Sequence, residues 1–352
     1  MELTFLNFLM QLTHNIPLLI STFLILGVIL VNGWTDAPNA IATCISTRSI
    51  RPQKAIMMAA ICNFLGVFLM TFISANVVET LYHIANFGDN TSNALIALCA
   101  GLVSIVLWAI LAWLFGIPTS ESHALIAGVS GAAIALQHGI SGINLGEWKK
   151  VLFGLLLSAI LGFCFGFVIT KLIEKICKHM DRRKTIPFFK RFQVFSGGTM
   201  AFMHGAQDGQ KFIGIFLLGV TLANNHITSN AVHIPFWLML LCSVTMTIGT
   251  SIGGYKIIKT VGMKMVKLEP YQGAAADLGG ALCLFSATLL GLPVSTTQVK
   301  TTAIMGVGAS KRLSNVNWDI VKNMVFAWLI TFPVCIIFGY LMAKLFLRIF
   351  VS

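Results

Sequence analysis

Two stretches of the chain place an aspartate within apolar sequence, and the two stretches resemble each other. The first is residues 32–40, which contains Asp36, and the second is residues 204–211, which contains Asp208. The two acids lie in opposite halves of the 352-residue chain. A carboxylate in a hydrophobic segment is costly, so an acid at membrane depth is by default a candidate functional group. Asp36 and Asp208 are therefore the predicted ligands of a cation.

Two clusters of hydroxyl residues each follow a Gly-x-Pro sequence, at 119–123 and at 295–298. Proline beside Ser and Thr is typical of a helix start, where free amides and partial positive charge favour an anion. Hydroxyls and amides at such a start can bind a tetrahedral oxyanion. The alternative is that these hydroxyls only permit close helix packing or bond back to their own turn. Because the cluster occurs twice, we favour the anion site.

The other ionisable residues placed at membrane depth and beside these clusters are Glu121, Asp277, Lys211, Lys300, His123 and His204. Glu121 either binds a coupling proton or is a neutral hydrogen-bonding acid. Asp277 lies nearer the end of an apolar span and is predicted to be an interfacial group. Lys211 and Lys300 either face an anion or form a salt bridge with Asp208. Each histidine is either a hydrogen-bonding group, the more common role in a membrane protein, or a ligand, since both abut the clusters.

The composition is that of a membrane protein. Hydrophobic residues make up 57% of the chain and charged residues 10%, where a soluble domain is about a quarter charged. Apolar runs reach the ~20 residues that a membrane-spanning helix needs and lack the alternation of barrel strands. The sequence therefore predicts an all-α polytopic membrane protein with about 10–12 passes. The net charge of +12 includes a basic group at 171–191, which is typical of a cytoplasmic loop, and no nucleic-acid partner is expected.

An internal repeat is visible because the aspartate stretches and the Gly-x-Pro clusters recur in the same order at nearly one spacing. Basic residues place the two copies in opposite orientations across the membrane. We therefore predict a first transmembrane repeat at 1–174, a basic cytoplasmic linker at 175–191 and a second repeat at 192–352. Proline and glycine predict helix breaks over 33–38 and over 205–209, and helix–break–helix segments are expected at 116–136 and 291–309. Substrate sites of such proteins lie where the repeats meet.

The chain resembles the PiT family of inorganic phosphate transporters. Its first stretch, Gly33-Trp34-Thr35-Asp36-Ala37-Pro38-Asn39-Ala40, is similar to the family signature Gly-x-Asn-Asp-x-x-Asn-Ala. Its second, His204-Gly205-Ala206-Gln207-Asp208-Gly209-Gln210-Lys211, is similar to His-Gly-x-Asn-Asp-x-x-Lys. Thr35 and Gln207 stand where the family has asparagine. The hydroxyl clusters are similar to the family's Pro-x-Ser-x-[Ser/Thr]-His hairpins, with Gln298 in place of the second histidine.

The resemblance implies a secondary transporter of the cell membrane that carries phosphate together with Na⁺ or H⁺. No cofactor is expected, since Na⁺ or H⁺ is a transported coupling ion. It implies coupling-cation positions, with Na⁺ on the two aspartates if sodium is used, at Asp36, Asp208, Thr35, Gln207 and Glu121. It implies phosphate-binding positions at Ser120, Ser122, Ser295, Thr296, Thr297, Lys211 and Asn39. A homodimer is also suggested by the resemblance.

Three alternatives remain open at the level of sequence. The first is proton-coupled sulfate transport, since sulfate has the same shape but no proton to donate. The second is an anion channel, although an inverted repeat with two matching sites favours alternating access. The third is an intramembrane enzyme, which neither a metal-ligand set nor a nucleophile–base spacing supports. We therefore expect a transporter and not an enzyme.

Overall fold

The protein is built from α-helices. A computed structural model describes residues 4–88, 90–115, 119–224, 233–253 and 265–351. Over these ranges the only strand-like pairing is one isolated bridge between Ala85 and Ile143. The helices are α1 (Phe5–His14), α2 (Ile16–Thr35), α3 (Pro38–Ser46), α4 (Pro52–Ile73), α5 (Asn76–Tyr82), α6 (Thr91–Phe115), α7 (Glu121–Leu136), α8 (Leu145–Ile176), α9 (Arg182–Ala223), α10 (Phe236–Ile252), α11 (Pro270–Leu289), α12 (Thr296–Lys311) and α13 (Trp318–Phe350).

Five helical segments of the described residues are long and apolar enough to cross a membrane. They are Ile16–Ser46, Pro52–Ile73, Thr91–Ala112, Leu145–Ile176 and Trp318–Phe350. Two shorter apolar helices, α7 and α10, accompany them. These observations confirm the all-α polytopic class. The number of passes stays a prediction, as residues 225–232 and 254–264, with Lys256, Lys259 and Lys264, lie outside the described residues.

The helices pack in reciprocal pairs. α2 packs against α10 while α4 packs against α9, and α8 packs against α11 and α12 while α13 packs against α6 and α7. The last helix of each half, α8 or α13, thus packs against the helix that follows the hydroxyl cluster of the other half, α12 or α7. Glycines allow the close approach, because a Cβ at Gly131 or Gly339 would strike the facing backbone of α13 or α7, and one at Gly166 or Gly306 would strike α12 or α8. Two repeats related by a twofold axis would pack in this way, but their opposed orientation stays a prediction.

The helix break at Asp36 is confirmed. Proline cannot donate a backbone hydrogen bond and clashes with the preceding turn, so α2 ends at Thr35 and α3 begins at Pro38. The Asp36 amide still donates to Asn32 O at 2.8 Å, which confines the break to Asp36 and Ala37. With nine residues, α3 is too short to be stable alone. Its contacts with α4, α9, α11 and α12 therefore fix its position.

The break predicted over 205–209 is wrong, because α9 runs without interruption through Asp208. Gln210 stands where the first copy has Pro38, so no backbone donor is lost. Gly205 and Gly209 serve packing instead. A Cβ at Gly205 would lie 2.7 Å from Asn63 Cα, and a Cβ at Gly209 would lie 2.6 Å from Val67 Cγ1. Both glycines therefore let α9 approach α4 closely.

The hydroxyl clusters begin uninterrupted helices, which corrects the expected helix–break–helix segments. α7 and α12 each have 16 residues and start directly after Ser120 and Ser295. A non-helical turn precedes α12, with Gly291 at φ 66°. The corresponding residues before α7, Gly116 to Pro118, lie outside the described residues. Of the predicted linker at 175–191, only 177–181 lies between helices, and the division into two repeats stays a prediction.

Candidate functional site

Asp36 is buried at the break between α2 and α3, where the described residues donate hydrogen bonds to one of its two carboxylate oxygens. Asn39, in the first turn of α3, donates to Asp36 Oδ1 at 2.8 Å. The Thr297 hydroxyl, at the start of α12, donates to the same oxygen, and Asn39 also donates to Thr297 Oγ1 at 3.0 Å. Asp36 Oδ2 has no hydrogen-bond partner among the described residues. Asp36 Oδ2 can therefore bind a cation or a further hydrogen-bond donor.

Asp208 is buried in the middle of α9 and is surrounded by donors. Lys211 Nζ lies 2.7 Å from Asp208 Oδ1, and Ser122 donates to that oxygen at 3.3 Å. Thr296 donates to Asp208 Oδ2 at 3.0 Å. The Lys211 ammonium also donates to Ser122 Oγ at 2.8 Å and to the Val294 carbonyl. Lys211 thus links the start of α7, the turn before α12 and the acid of α9.

The two aspartates meet at one point. One ligand atom from each of Asp36, His204 and Asp208 lies within 4.8 Å of the other two, and all three residues are buried. α2, α9 and the starts of α7 and α12 supply the side chains around this point. The structure therefore brings together residues that are far apart in the sequence, as a site between two repeats requires.

A chain of hydrogen bonds fixes the orientation of His204. The Thr250 hydroxyl donates to Met246 O at 2.8 Å, so its oxygen accepts from Asn63 Nδ2 at 3.0 Å. Asn63 Oδ1 then faces His204 Nδ1 at 3.1 Å, which must carry the hydrogen. In the neutral ring, His204 Nε2 is left as an acceptor, 3.4 Å from Asp208 Oδ2. Two acceptors that face each other in a buried place favour a cation between them.

The serines that precede α7 and α12 act differently from the hydroxyls that follow them. Ser120 Oγ accepts from the His123 amide at 3.3 Å, and Ser295 Oγ accepts from the Gln298 amide at 3.2 Å. These are N-cap bonds, which stabilise the start of each helix. The hydroxyls that reach the aspartates are those of Ser122, Thr296 and Thr297.

Thr35 and Gln207, which replace the family's asparagines, direct their side-chain hydrogen bonds away from the aspartates. Thr35 Oγ1 donates to Val31 O at 2.8 Å and contacts the Glu121 carboxyl. Gln207 Nε2 donates to Leu292 O at 2.6 Å, and its Oε1 accepts from Thr288 at 2.7 Å. Gln207 therefore braces the turn before α12. The hydrogen bonds to Leu292 and Thr288 neither support nor test the predicted role of Gln207 as a cation ligand.

Asp277 is not an interfacial group, which corrects that expectation. Both Asp277 and Lys300 are buried, and they form an ion pair with each other, so Lys300 does not pair with Asp208. Sequence reasoning also missed Asn32 and Asn63, whose amides contact Asp208 and His204. The signal available was an asparagine inside an apolar span, which is costly in the same way as an acid.

Comparison with known proteins agrees with this site. The model of the Phosphate transporter family matches residues 32–339, a range that contains both aspartates and both hydroxyl clusters. The chain belongs to the phosphate transporter family. It is therefore a multi-pass protein of the cell membrane.

Relatives of this family member cover most of its length. It is 38% identical over 309 residues to a "probable low-affinity inorganic phosphate transporter" of Bacillus subtilis, which covers 88% of this chain and 91% of that protein. It is 41% identical over 312 residues to a protein of the same name from Rhizobium meliloti, which covers 86% of this chain and 88% of that protein.

One solved structure shares the fold of this phosphate transporter family member. The similarity has a TM-score of 0.86 and 23% sequence identity, and it covers 95% of this chain and 99% of the other. That structure is named "the sodium-dependent phosphate transporter". At this identity the similarity establishes the fold of the chain.

Proposed function

We propose that this protein is a secondary transporter that moves inorganic phosphate across the cell membrane together with Na⁺. The observation that carries the proposal is the meeting of Asp36 and Asp208, with one carboxylate oxygen of Asp36 unpaired among the described residues. The amides that contact these acids, those of Asn32 and Asn39, also have one oxygen each without a partner in the described part of the chain. Carboxylate and amide oxygens are the ligands that hard cations prefer. The name of the solved structural relative further supports sodium as the coupling ion.

Charge explains why the cation and the anion travel together. The two aspartates and Lys211 leave an excess of one negative charge in a buried site. An anion about 4 Å from an unneutralised carboxylate is repelled by about 4 kcal/mol at an effective dielectric constant of about 20. A bound Na⁺ removes that excess, so phosphate binds well only after the cation has bound. This order of binding couples the two gradients.

Phosphate is assigned to the donors that surround the cation. Lys211, Ser122 and Thr296 offer an ammonium and two hydroxyls within contact of Asp208, and Thr297 and Asn39 offer two more donors beside Asp36. The starts of α7 and α12 add the partial positive charge of a helix N-terminus. Ser120 and Ser295 contribute by starting those helices. Phosphate, unlike sulfate, can also donate a hydrogen to a carboxylate of this site.

The test is uptake of radiolabelled phosphate into liposomes that contain the purified protein. An inward Na⁺ gradient should drive uptake above the level seen with choline, and excess unlabelled sulfate should compete poorly. Asp36→Asn should abolish sodium-dependent uptake while the protein stays folded, and Asp319→Asn, an exposed acid, serves as the control. Uptake that follows neither a Na⁺ nor a pH gradient would refute coupled transport.

Proton coupling is the second candidate, and it depends on Glu121. Glu121 is a buried carboxyl beside the two aspartates' helices, and Thr35 donates to it at the end of α2. Uptake that follows a pH jump without sodium, and that Glu121→Gln removes, would favour the proton over Na⁺. The homodimer stays a prediction.

A further inference from the structure

A second buried cluster lies one helical turn from the candidate site. It consists of Asp277 on α11, Lys300 on α12, and Ala40 and Thr43 on α3. Lys300 Nζ donates to the Ala40 carbonyl at 3.2 Å and to Thr43 Oγ1 at 3.1 Å, and it forms an ion pair with Asp277. Thr43 in turn donates to Asp277 Oδ1 at 2.7 Å. Within the described part of the chain, no hydrogen bond or ion pair joins this cluster to Asp36 or Asp208.

The cluster repeats the layout of the candidate site. Asn39 stands four residues before Thr43 on α3, and Thr297 stands three residues before Lys300 on α12. Asn39 donates to Thr297, and Lys300 donates to Thr43. Residues three or four apart lie on the same face of a helix, so α3 and α12 meet twice along one seam. At the first meeting, oxygen atoms surround a place for a cation. At the second, oxygen atoms surround the ammonium of Lys300.

The ligands around Lys300 are those of a monovalent cation site. A carboxylate, a backbone carbonyl and a hydroxyl oxygen converge on one point, and hard cations prefer oxygen ligands of these types. A lysine ammonium is a compact positive charge with three donors, so it can satisfy three such acceptors. We propose that Asp277, Thr43 and the Ala40 carbonyl form a second Na⁺ site, in which the Lys300 ammonium takes the place of the ion.

The direct test is Lys300→Met. Methionine is one heavy atom shorter than lysine, and the missing atom is the ammonium nitrogen. The variant therefore keeps the apolar stem and leaves Asp277 without its partner. An uncompensated buried carboxylate is strongly destabilising, and any ion that binds only the folded protein restores stability by mass action.

We expect Lys300→Met to melt below the wild type in choline chloride and to recover as sodium replaces choline at constant ionic strength. Its sodium-dependent rise in melting temperature should exceed that of the wild type, and it should bind an additional sodium ion per protein in equilibrium binding with radioactive sodium. Lys311→Met, an exposed lysine at the end of the same helix, should respond as the wild type does. Lys300→Met/Asp277→Asn should fold without the additional sodium response, because the charge that attracts the ion is gone.

Two outcomes would overturn the proposal. One is an equal sodium response in Lys300→Met and the wild type. The other is a Lys300→Met protein that fails to fold in sodium as well as in choline while the double variant folds, since the cluster then cannot hold a free ion. The readouts are stability and ion binding, so neither outcome bears on whether the protein transports phosphate with Na⁺.

Discussion

Replacing Lys211 with methionine should destabilise the protein far more than the same change in a surface ion pair. Lys211 and Asp208 are three residues apart on α9, and their side chains are 1% and 0% exposed. Lys150 and Glu147 have the same spacing on α8, with side chains 48% and 16% exposed. The two pairs have nearly equal N–O distances, of 2.7 and 2.8 Å. The two ion pairs therefore differ mainly in how deeply their side chains are buried.

The magnitudes follow from the cost of burying an unpaired charge. Lys211→Met leaves the Asp208 carboxylate without a cation in a place that water does not reach, and breaking one partner of a buried pair costs about 3–5 kcal/mol. Lys150→Met removes an interaction that water screens, which costs at most about 1 kcal/mol. If Na⁺ binds beside Asp208, sodium should recover part of the loss in Lys211→Met and none in Lys150→Met.

The assay is the free energy of unfolding in mixed detergent micelles, measured by circular dichroism during a titration with a denaturing detergent. Lys211→Met/Asp208→Asn should regain stability because no charge remains unpaired, but it should not regain phosphate uptake. Equal losses in Lys211→Met and Lys150→Met would refute the argument from burial. A stable Lys211→Met protein with wild-type uptake would remove Lys211 from the site.

Two further changes test the packing and the ligands of the site. Thr297→Val should raise the sodium concentration for half-maximal uptake by about tenfold to a hundredfold, since a hydrogen bond to a charged group contributes about 1.5–3 kcal/mol. Thr301→Val, whose buried hydroxyl has no partner among the described residues, should leave that concentration unchanged. If both variants kept the wild-type sodium concentration for half-maximal uptake, a role for Thr297 would be contradicted. Gly205→Ala should destabilise the protein by about 1–3 kcal/mol and reduce uptake, because its Cβ would meet the backbone of Asn63, the residue that orients His204. Gly27→Ala, whose Cβ would meet nothing within 4 Å, is the matched control in thermal unfolding, and equal melting of the two variants would count against the packing argument.

Much of the fold and part of the site can be predicted from the sequence because the signals are local. Long apolar runs predict membrane helices, and Pro38 predicts the end of α2, since its missing amide acts at that position in any context. The pairing of Asp36 with Asp208 follows from the repeat, which places equivalent residues at one interface. Each of these inferences needs only neighbouring residues or a comparison of the chain with itself.

The features that were missed depend on partners distant in sequence. Gly205 and Gly209 weaken an isolated helix, but α4 packs against them and α9 stays continuous. Asp277 finds Lys300 only when α11, α12 and α3 are assembled. Whether His204 Nε2 can accept a hydrogen bond depends on Asn63, which lies on α4 and contacts the other ring nitrogen. A sequence gives the chemical type of such a residue but not the atom that it faces.

We propose that a cation binds between Asp36 and Asp208 and, by neutralising their excess negative charge, allows phosphate to bind. Equilibrium binding of radioactive sodium to purified protein tests it most directly. The wild type should bind sodium more tightly when phosphate is present, because coupling between two ligands is reciprocal, and Asp36→Asn should lose both the binding and its dependence on phosphate. Sodium binding that is the same in Asp36→Asn, or that phosphate does not change, would contradict the account.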